Sequence, residues 1–203
     1  MQKQEGKFQL LQMTKLEKKK LYFDICTYEG EVKNDIPHGY GFIFYNDYIQ
    51  SYEGEFKNGK PHGYGIRVYL SSIYKGEFKN GKYNGLGELK WMLGYNGRHI
   101  THFGEFKNDK REGVGIHRNV NGSTFQGTWK NDEQHGILIY TSASGRVVKL
   151  DKVKGRTKNV TTIKKVKEID KLQNRKIKDN DPEFQKFVKD YLKRNKEKRN
   201  KEK

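Results

Sequence analysis

One spaced pattern of glycines recurs along this chain and constrains its fold more than any other feature. The pattern occurs five times, with copies that begin at Tyr28, Tyr52, Tyr74, His102 and Phe125. Counting the first residue of a copy as position 0, glycine stands at +2 and +11 and usually at +13, a large apolar residue at +4, and Lys-Asn at +5 and +6. Because the copies are spaced by 22 to 28 residues, the sequence predicts a repeat array of small supersecondary units.

Each copy reads as one β-hairpin. In the copy that begins at Tyr52, apolar residues and glycine alternate with charged residues up to Lys57, which is typical of a half-buried strand. Asn58-Gly59 then supplies the positive φ angles of a tight turn. The glycines of the second arm leave room for a ring, and we expect each Tyr or Phe to lie over the glycines of a neighbouring copy. Since a single hairpin is marginally stable, the copies are expected to pack in series.

This pattern closely resembles the MORN (membrane occupation and recognition nexus) repeat, through YEGEFKNGK from Tyr52 and PHGYG from Pro61. The resemblance covers residues 28–145, with departures at His102, where an aromatic residue is usual, and at Leu138, where glycine is usual. It implies an all-β fold, a single-layer twisted antiparallel sheet of stacked β-hairpins. It also implies scaffolding, partner binding and, in some members, membrane association.

The domain organisation follows from the repeat register. We expect a degenerate cap repeat over residues 1–27, with a strand at Leu21–Thr27, and a basic extension over residues 148–203 in which the sheet ends near Gly155. Between them lie the five repeats, 28–51, 52–73, 74–101, 102–124 and 125–147.

The C-terminal extension contains the one clear helix signal of the chain. Asp181 is a favourable N-cap residue and Pro182 stands at the first helical position, which predicts an amphipathic helix over about residues 182–198. Its apolar residues recur at i, i+3, i+4, i+7 and i+8: Phe184, Phe187, Val188, Tyr191 and Leu192. That stripe can be buried on this sheet, on a protein partner or at a lipid surface, and we expect protein first.

The net charge of +17 is concentrated in the flanks. Residues 22–145 contain 14 basic and 14 acidic residues, whereas residues 1–21 carry +4 and residues 146–203 carry +13. Attraction to an acidic partner is therefore expected of the flanks. The single cysteine, Cys26, suits a reducing compartment, and no signal-peptide core or membrane-length apolar run is present, so we expect a soluble intracellular protein.

Catalytic and metal-binding chemistry finds little support in the sequence. His38, His62 and His135 share the +10 position and are interpreted as loop residues roughly 10 Å apart, too far to share a metal ion. The chain lacks a Gly-x-Ser-x-Gly elbow and a Gly-Lys-Ser/Thr phosphate loop. We therefore predict that it is not an enzyme and uses no cofactor.

The aromatic residues of the repeats are the candidate binding surface. We expect one partner-binding groove made by Tyr28, Tyr40, Tyr52, Tyr64, Tyr74, Phe56, Phe78, Phe106, Phe125 and Trp129. The lysines at +5 and the glutamates at +3 fall on one face and are expected to neutralise each other as a solvated surface. Nucleic-acid binding is disfavoured because no aromatic stacking platform accompanies the basic residues.

The leading functional hypothesis is a non-catalytic scaffold or adaptor that binds a protein partner. The resemblance implies a ciliary, axonemal or cortical cytoskeletal setting, and acidic tubulin tails would suit the basic residues 146–203. The alternative is a peripheral membrane tether that binds anionic phospholipids such as phosphoinositides through the C-terminal helix.

Overall fold

Short alternating strands joined by tight turns build the whole described part of the protein. A computed structural model describes residues 16–45, 50–93 and 98–162. Its strands are β1 Glu17–Tyr22, β2 Cys26–Lys33, β3 Ile36–Tyr45, β4 Ser51–Lys57, β5 Lys60–Tyr69, β6 Ser72–Lys79, β7 Lys82–Met92, β8 His99–Lys107, β9 Lys110–Arg118, β10 Thr124–Lys130, β11 Glu133–Thr141, β12 Val147–Val153 and β13 Arg156–Thr162.

The strands form one open sheet in which every strand pairs with its neighbours in the sequence. The order runs from β1 to β13 without a crossover, and the pairs are antiparallel. This confirms the predicted all-β array of stacked hairpins. The order follows from the turns, because short connections between strands allow only antiparallel neighbours.

The turns inside the repeats have the predicted chemistry. Asn58 and Gly59 have φ angles of 51° and 77°, and Asn34 and Asp35 have φ angles of 51° and 59°. Positive φ at both central residues is the requirement of a primed hairpin turn, which asparagine, aspartate and glycine meet at low cost.

A β-bulge interrupts each repeat hairpin, at the +3 residue in the first four repeats. In the second repeat Gly54 pairs with Gly65, but Phe56 pairs with Pro61, so Glu55 faces three residues of the partner strand. The same shift occurs at the +3 residue of the first, third and fourth repeats, whereas in the fifth it lies at Gly127, the +2 residue. The bulge frees backbone N–H groups of the second arm, and these need another acceptor.

The packing of tyrosines and glycines differs from the expectation. A Cβ atom added to Gly65 would lie 2.5 Å from Tyr52 Oη and 2.6 Å from the Tyr52 ring, so the ring covers a glycine of its own repeat. Gly41 and Gly87 are covered in the same way by Tyr28 and Tyr74. Contact with the neighbouring repeat comes instead from the +4 residue, which pairs with the preceding +11 glycine, as Phe78 does with Gly63.

Both ends of the array also differ from the sequence-based boundaries. Leu21–Thr27 is not one strand, because β1 ends at Tyr22 and a turn closed by Phe23 N donating to Cys26 O (2.9 Å) leads into β2. The sheet does not end near Gly155, because β13 continues it to Thr162. The predicted helix at about residues 182–198 lies outside the described residues.

Candidate partner-binding face

Strand alternation gives the sheet two chemically different faces. The residues at 0, +2 and +4 face the same side, as Tyr52, Gly54 and Phe56 do, and we call this side the ring face. The residues at +1 and +3 and at +12 and +14 face the other side, which we call the glutamate face. In the first two repeats its +1 and +3 positions are all glutamates: Glu29, Glu31, Glu53 and Glu55.

The ring face is filled by its own side chains. Tyr52 makes edge-to-face contacts with Phe56 and Phe78, at centroid distances of 5.1 and 4.9 Å. Seven of the ten predicted groove residues lie in this row and are at most 3% exposed: Tyr28, Tyr52, Tyr74, Phe56, Phe78, Phe106 and Trp129. An eighth, Phe125, is partly buried. These rings hold neighbouring repeats together, so they offer little free surface to a partner.

The tyrosine hydroxyl groups of the ring face are also satisfied internally. Tyr52 Oη donates to the Glu55 carbonyl oxygen (2.8 Å), and Tyr74 Oη donates to that of Glu77 (3.0 Å). Burial raises the pKa of Tyr28 to about 12 and raises the pKa of Tyr52 and Tyr74 as well. All three therefore remain protonated at physiological pH.

The remaining two predicted residues, Tyr40 and Tyr64, lie on the glutamate face. Tyr40 is 55% exposed and Tyr64 is 49% exposed. Phe42 is 38% exposed and lies between Glu29 of β2 and Glu53 of β4. Tyr40 Oη donates to Glu53 Oε1 (2.9 Å). The structure therefore divides the ten residues between two faces, and the exposed aromatic surface belongs to the glutamate face.

The +3 glutamates accept hydrogen bonds from backbone N–H groups that the bulge leaves without a partner in the sheet. Glu55 Oε1 accepts a hydrogen bond from Tyr64 N (2.8 Å), and Glu31 Oε2 accepts one from Tyr40 N (2.7 Å). Glu77 and Glu105 bond Leu86 N and Val114 N in the same way. In the fifth repeat Thr128 stands at +3, and its hydroxyl donates to the His135 carbonyl oxygen.

This arrangement replaces the expected neutralisation between the glutamate and lysine rows. Within the described ranges, no ion pair within 4.0 Å joins a +5 lysine to a +3 glutamate. The lysines lie beyond the bulge, beside the turns, whereas the glutamates point back over the +11 glycines. The +3 carboxylates are therefore not paired with the +5 lysines, and the basic residue nearest to Glu29 is Lys20 of β1, whose Nζ lies 4.0 Å from Glu29 Oε2.

We expect the Glu55 side chain to stabilise its repeat through this backbone bond. Glu55→Met should lower the free energy of unfolding by about 1 kcal/mol, because Tyr64 N loses its acceptor in a partly solvated position. Glu55→Gln should cost less, since an amide oxygen can still accept. Chemical denaturation measures both. Glu53→Met is the control, because Glu53 accepts from a side-chain hydroxyl only; equal costs at both positions would contradict the assignment.

The exposed aromatic residues and the carboxylates form one continuous surface on β2–β5. We define the acidic aromatic patch as Tyr40, Phe42, Tyr64, Glu29, Glu31, Glu53 and Glu55. Between the bulges and the loops that join repeats, these four strands carry no Lys or Arg on the glutamate face. At its β1 border a cavity of about 450 Å³ is lined by patch residues together with Lys18, Lys19 and Lys20.

The fourth repeat departs from this pattern at its first residue. His102 is 1% exposed, and neither ring nitrogen has a hydrogen-bond partner. Its ring lies 4.8 Å from that of Trp129 and 6.1 Å from that of His117. Burial, with Arg111 and His117 nearby, lowers the pKa of His102 to about 2. Burial and Arg111 also lower the pKa of His117 to about 4.

The histidines, the cysteine and the possible membrane segments were the other sequence features with a candidate function. The predicted loop histidines lie inside strands, with His38 in β3, His62 in β5 and His135 in β11. In the described ranges, no group of three or more His, Cys, Asp or Glu side chains is placed to hold a metal ion. Burial raises the pKa of the Cys26 thiol. No helix among the described residues is long and apolar enough to cross a membrane.

Comparison with known families agrees with this repeat geometry. The model of the MORN repeat matches residues 28–48, 52–70, 74–92, 102–124 and 125–145, which together are half of the chain. The chain belongs to the MORN repeat family. No curated protein sequence matches it. The family identifies the chain as a repeat scaffold of a kind that binds proteins or membranes.

The residues of the acidic aromatic patch lie within the matched MORN segments, so part of the site is visible in the sequence. The five matched segments carry the ring face and the bulge, and the first four carry the +3 glutamates. Phe42, Glu29 and Glu53 were not among the predicted site residues. Their signal was available, because alternation places Glu53 on the opposite side of β4 from Tyr52 and Phe56.

Proposed function

We propose that this MORN protein is a non-catalytic scaffold or adaptor that binds a protein partner on the acidic aromatic patch. The observation that carries the proposal is the exposure of Tyr40, Phe42 and Tyr64 on an open sheet face, while the rings of the other face are used in packing. Aromatic residues flanked by charged groups are enriched at protein interfaces. A ciliary, axonemal or cortical cytoskeletal assembly is the setting we propose, in an intracellular compartment.

The opposite end of the sheet supports a second contact of the same scaffold. Residues 146–162 include Arg146, Lys149, Lys152, Lys154, Arg156 and Lys158 against one acidic residue, Asp151. Such an end attracts acidic surfaces, of which tubulin tails are one. The protein would thus carry an acidic aromatic surface in its first repeats and a basic one at its last strands, suited to different partners.

A peripheral membrane tether is the second candidate. The sequence observation that favours it is the apolar stripe of residues 182–198 within a region of +13 charge. A basic amphipathic segment of this kind can bind anionic phospholipids, including phosphoinositides, at the headgroup level.

Co-sedimentation of the full-length chain tests the proposal. We expect Phe42→Ser/Tyr64→Ser to weaken binding to isolated axonemes at least about tenfold, because interface aromatics each contribute on the order of 1–2 kcal/mol. Sedimentation with vesicles of phosphatidylserine and phosphatidylinositol bisphosphate measures the alternative.

The matched control is Met92→Ser/Leu93→Ser, which removes two exposed apolar side chains that lie outside both the patch and the basic end. Equal axoneme binding by the patch variant and the control variant would contradict the proposal. Binding to vesicles but not to axonemes would favour the membrane tether.

A further inference from the structure

The acidic aromatic patch and the C-terminal segment of the same chain have complementary chemistry. The patch presents four glutamates and three exposed aromatic rings, with no basic residue between them. Basic residues border it, Lys18 and Lys20 on β1 and Lys75 on β6, and Lys20 Nζ lies 4.0 Å from Glu29 Oε2. Residues 182–198 contain six basic and three acidic residues and the apolar stripe that begins at Phe184. A basic segment with one apolar stripe fits a surface that is both acidic and aromatic.

The other surfaces of the sheet are less complementary to this segment in charge and in exposed apolar area. The ring face is filled by packed rings, so an apolar stripe finds little surface there. On the glutamate face of the last two repeats, the +1 and +3 positions hold Phe103, Glu105, Gln126 and Thr128, with one carboxylate among them. The end at β12–β13 is basic and repels the segment. Charge therefore selects the first two repeats.

The chain is long enough for the segment to reach the patch. β13 ends at Thr162, on the side of the sheet where the loops between repeats lie, and the patch occupies that same side of β2–β5. From β13 to β4–β5 is eight to nine strand spacings, roughly 40 Å. The 19 residues 163–181 can span about 60 Å when extended.

We propose that residues 182–198 occupy the acidic aromatic patch of the same chain. The apolar stripe covers Tyr40, Phe42 and Tyr64, and lysines of the segment lie beside Glu53, since Glu29 already has Lys20 as its partner. Tethering supplies an effective concentration on the order of millimolar, so modest intrinsic affinity suffices. The inference rests on the proposed function, since it makes the C-terminal segment a competitor that a partner of the patch must displace.

Disulfide trapping in the full-length chain tests this contact. In a Cys26→Ser background, Gln185→Cys is combined either with Ser51→Cys, at the glutamate face of β4, or with Val160→Cys, on the ring face of β13. Position 160 is close to the start of the tether, so a freely moving segment cross-links there first. A docked segment cross-links to position 51 first, and we expect about a tenfold faster rate.

Two further features identify docking within one chain. The rate at position 51 should be independent of protein concentration, and it should fall below the rate at position 160 in the Phe187→Asp/Leu192→Asp variant and at high salt. Thr27→Cys, on the glutamate face of β2, is a second reporter with the same expected result should Ser51→Cys misfold.

The outcomes separate this inference from the proposed function. Faster cross-linking at position 160, or cross-links only between chains, would overturn the inference. If that occurs while Phe42→Ser/Tyr64→Ser still loses axoneme binding, the proposed function stands. If position 51 cross-links first but axoneme binding ignores the patch substitutions, the segment docks as inferred and the proposed partner site is wrong.

Discussion

Gly65→Ala should destabilise the array by about 3 kcal/mol, although it adds a single methyl group. The new Cβ atom would lie 2.5 Å from Tyr52 Oη and 2.6 Å from its ring carbons. The ring must therefore move, which breaks the hydrogen bond to the Glu55 carbonyl oxygen and the edge-to-face contacts with Phe56 and Phe78. Overpacking, a lost hydrogen bond and lost aromatic contacts together give that magnitude. Chemical denaturation of the full chain measures it.

Two variants test the cause of this destabilisation. Gly81→Asn is the control, because Gly81 has open space around its Cβ position and a φ of 83°, which asparagine tolerates; it should cost less than about 1 kcal/mol. In a double-mutant cycle, Tyr52→Ala should remove most of the extra cost of Gly65→Ala, since the obstructing ring is gone. Additive costs would show that the ring is not what the methyl group meets.

The sequence predicted the array well because glycine and turn chemistry are local signals. Asn58-Gly59 specifies a turn within two residues. The glycines at the positions of Gly54 and Gly65, which pair with each other, recur at a similar spacing and set the length of each repeat. The ends were misjudged because they lack these signals. β13 lacks the glycines of the repeat. It joins the sheet through a turn at Lys154 and Gly155, which have φ angles of 47° and 71°. β1 is an edge strand with three consecutive lysines, which hide alternation.

The site was less predictable because face assignment depends on register across a turn. Tyr52 and Tyr64 are twelve residues apart, an even separation that suggests one side of an uninterrupted strand. Across the two-residue turn, however, Lys57 pairs with Lys60, so residues of the two strands that are an even number apart lie on opposite faces, as Tyr52 and Tyr64 do. The bulge at Glu55 shifts the register by two residues and leaves this face assignment unchanged. Sequence periodicity shows neither the size of a bulge nor which ring covers which glycine. The repeat spacing identifies the aromatic residues, whereas their burial depends on the face of the sheet on which each one lies.

The largest pH effect should come from the fourth repeat, whose first residue is His102 rather than tyrosine. The folded state keeps His102 neutral, with its pKa lowered to about 2 from 6.5 by burial first and by Arg111 and His117 next. The unfolded chain binds a proton there below about pH 6.5, so acid favours unfolding. Stability from this residue is fully present above pH 6.5 and is lost as the pH falls, by about 2 kcal/mol at pH 5. Thermal melting between pH 7.5 and pH 5 measures the loss.

His102→Tyr should remove this dependence and stabilise the repeat. In the third repeat Tyr74 Oη donates to the carbonyl oxygen of the +3 residue, and a tyrosine at position 102 can make the same bond. Neither ring nitrogen of His102 has a hydrogen-bond partner. We expect about 1 kcal/mol of added stability at pH 7 and a shallower fall toward pH 5. His117 still contributes, because its pKa is also lowered, to about 4. Adding His117→Leu reproduces the native pair of Tyr74 with Leu89 in the third repeat, and the double variant should have the flattest profile. An unchanged acid slope in that variant would mean that carboxylates elsewhere, rather than these two histidines, set the response to pH.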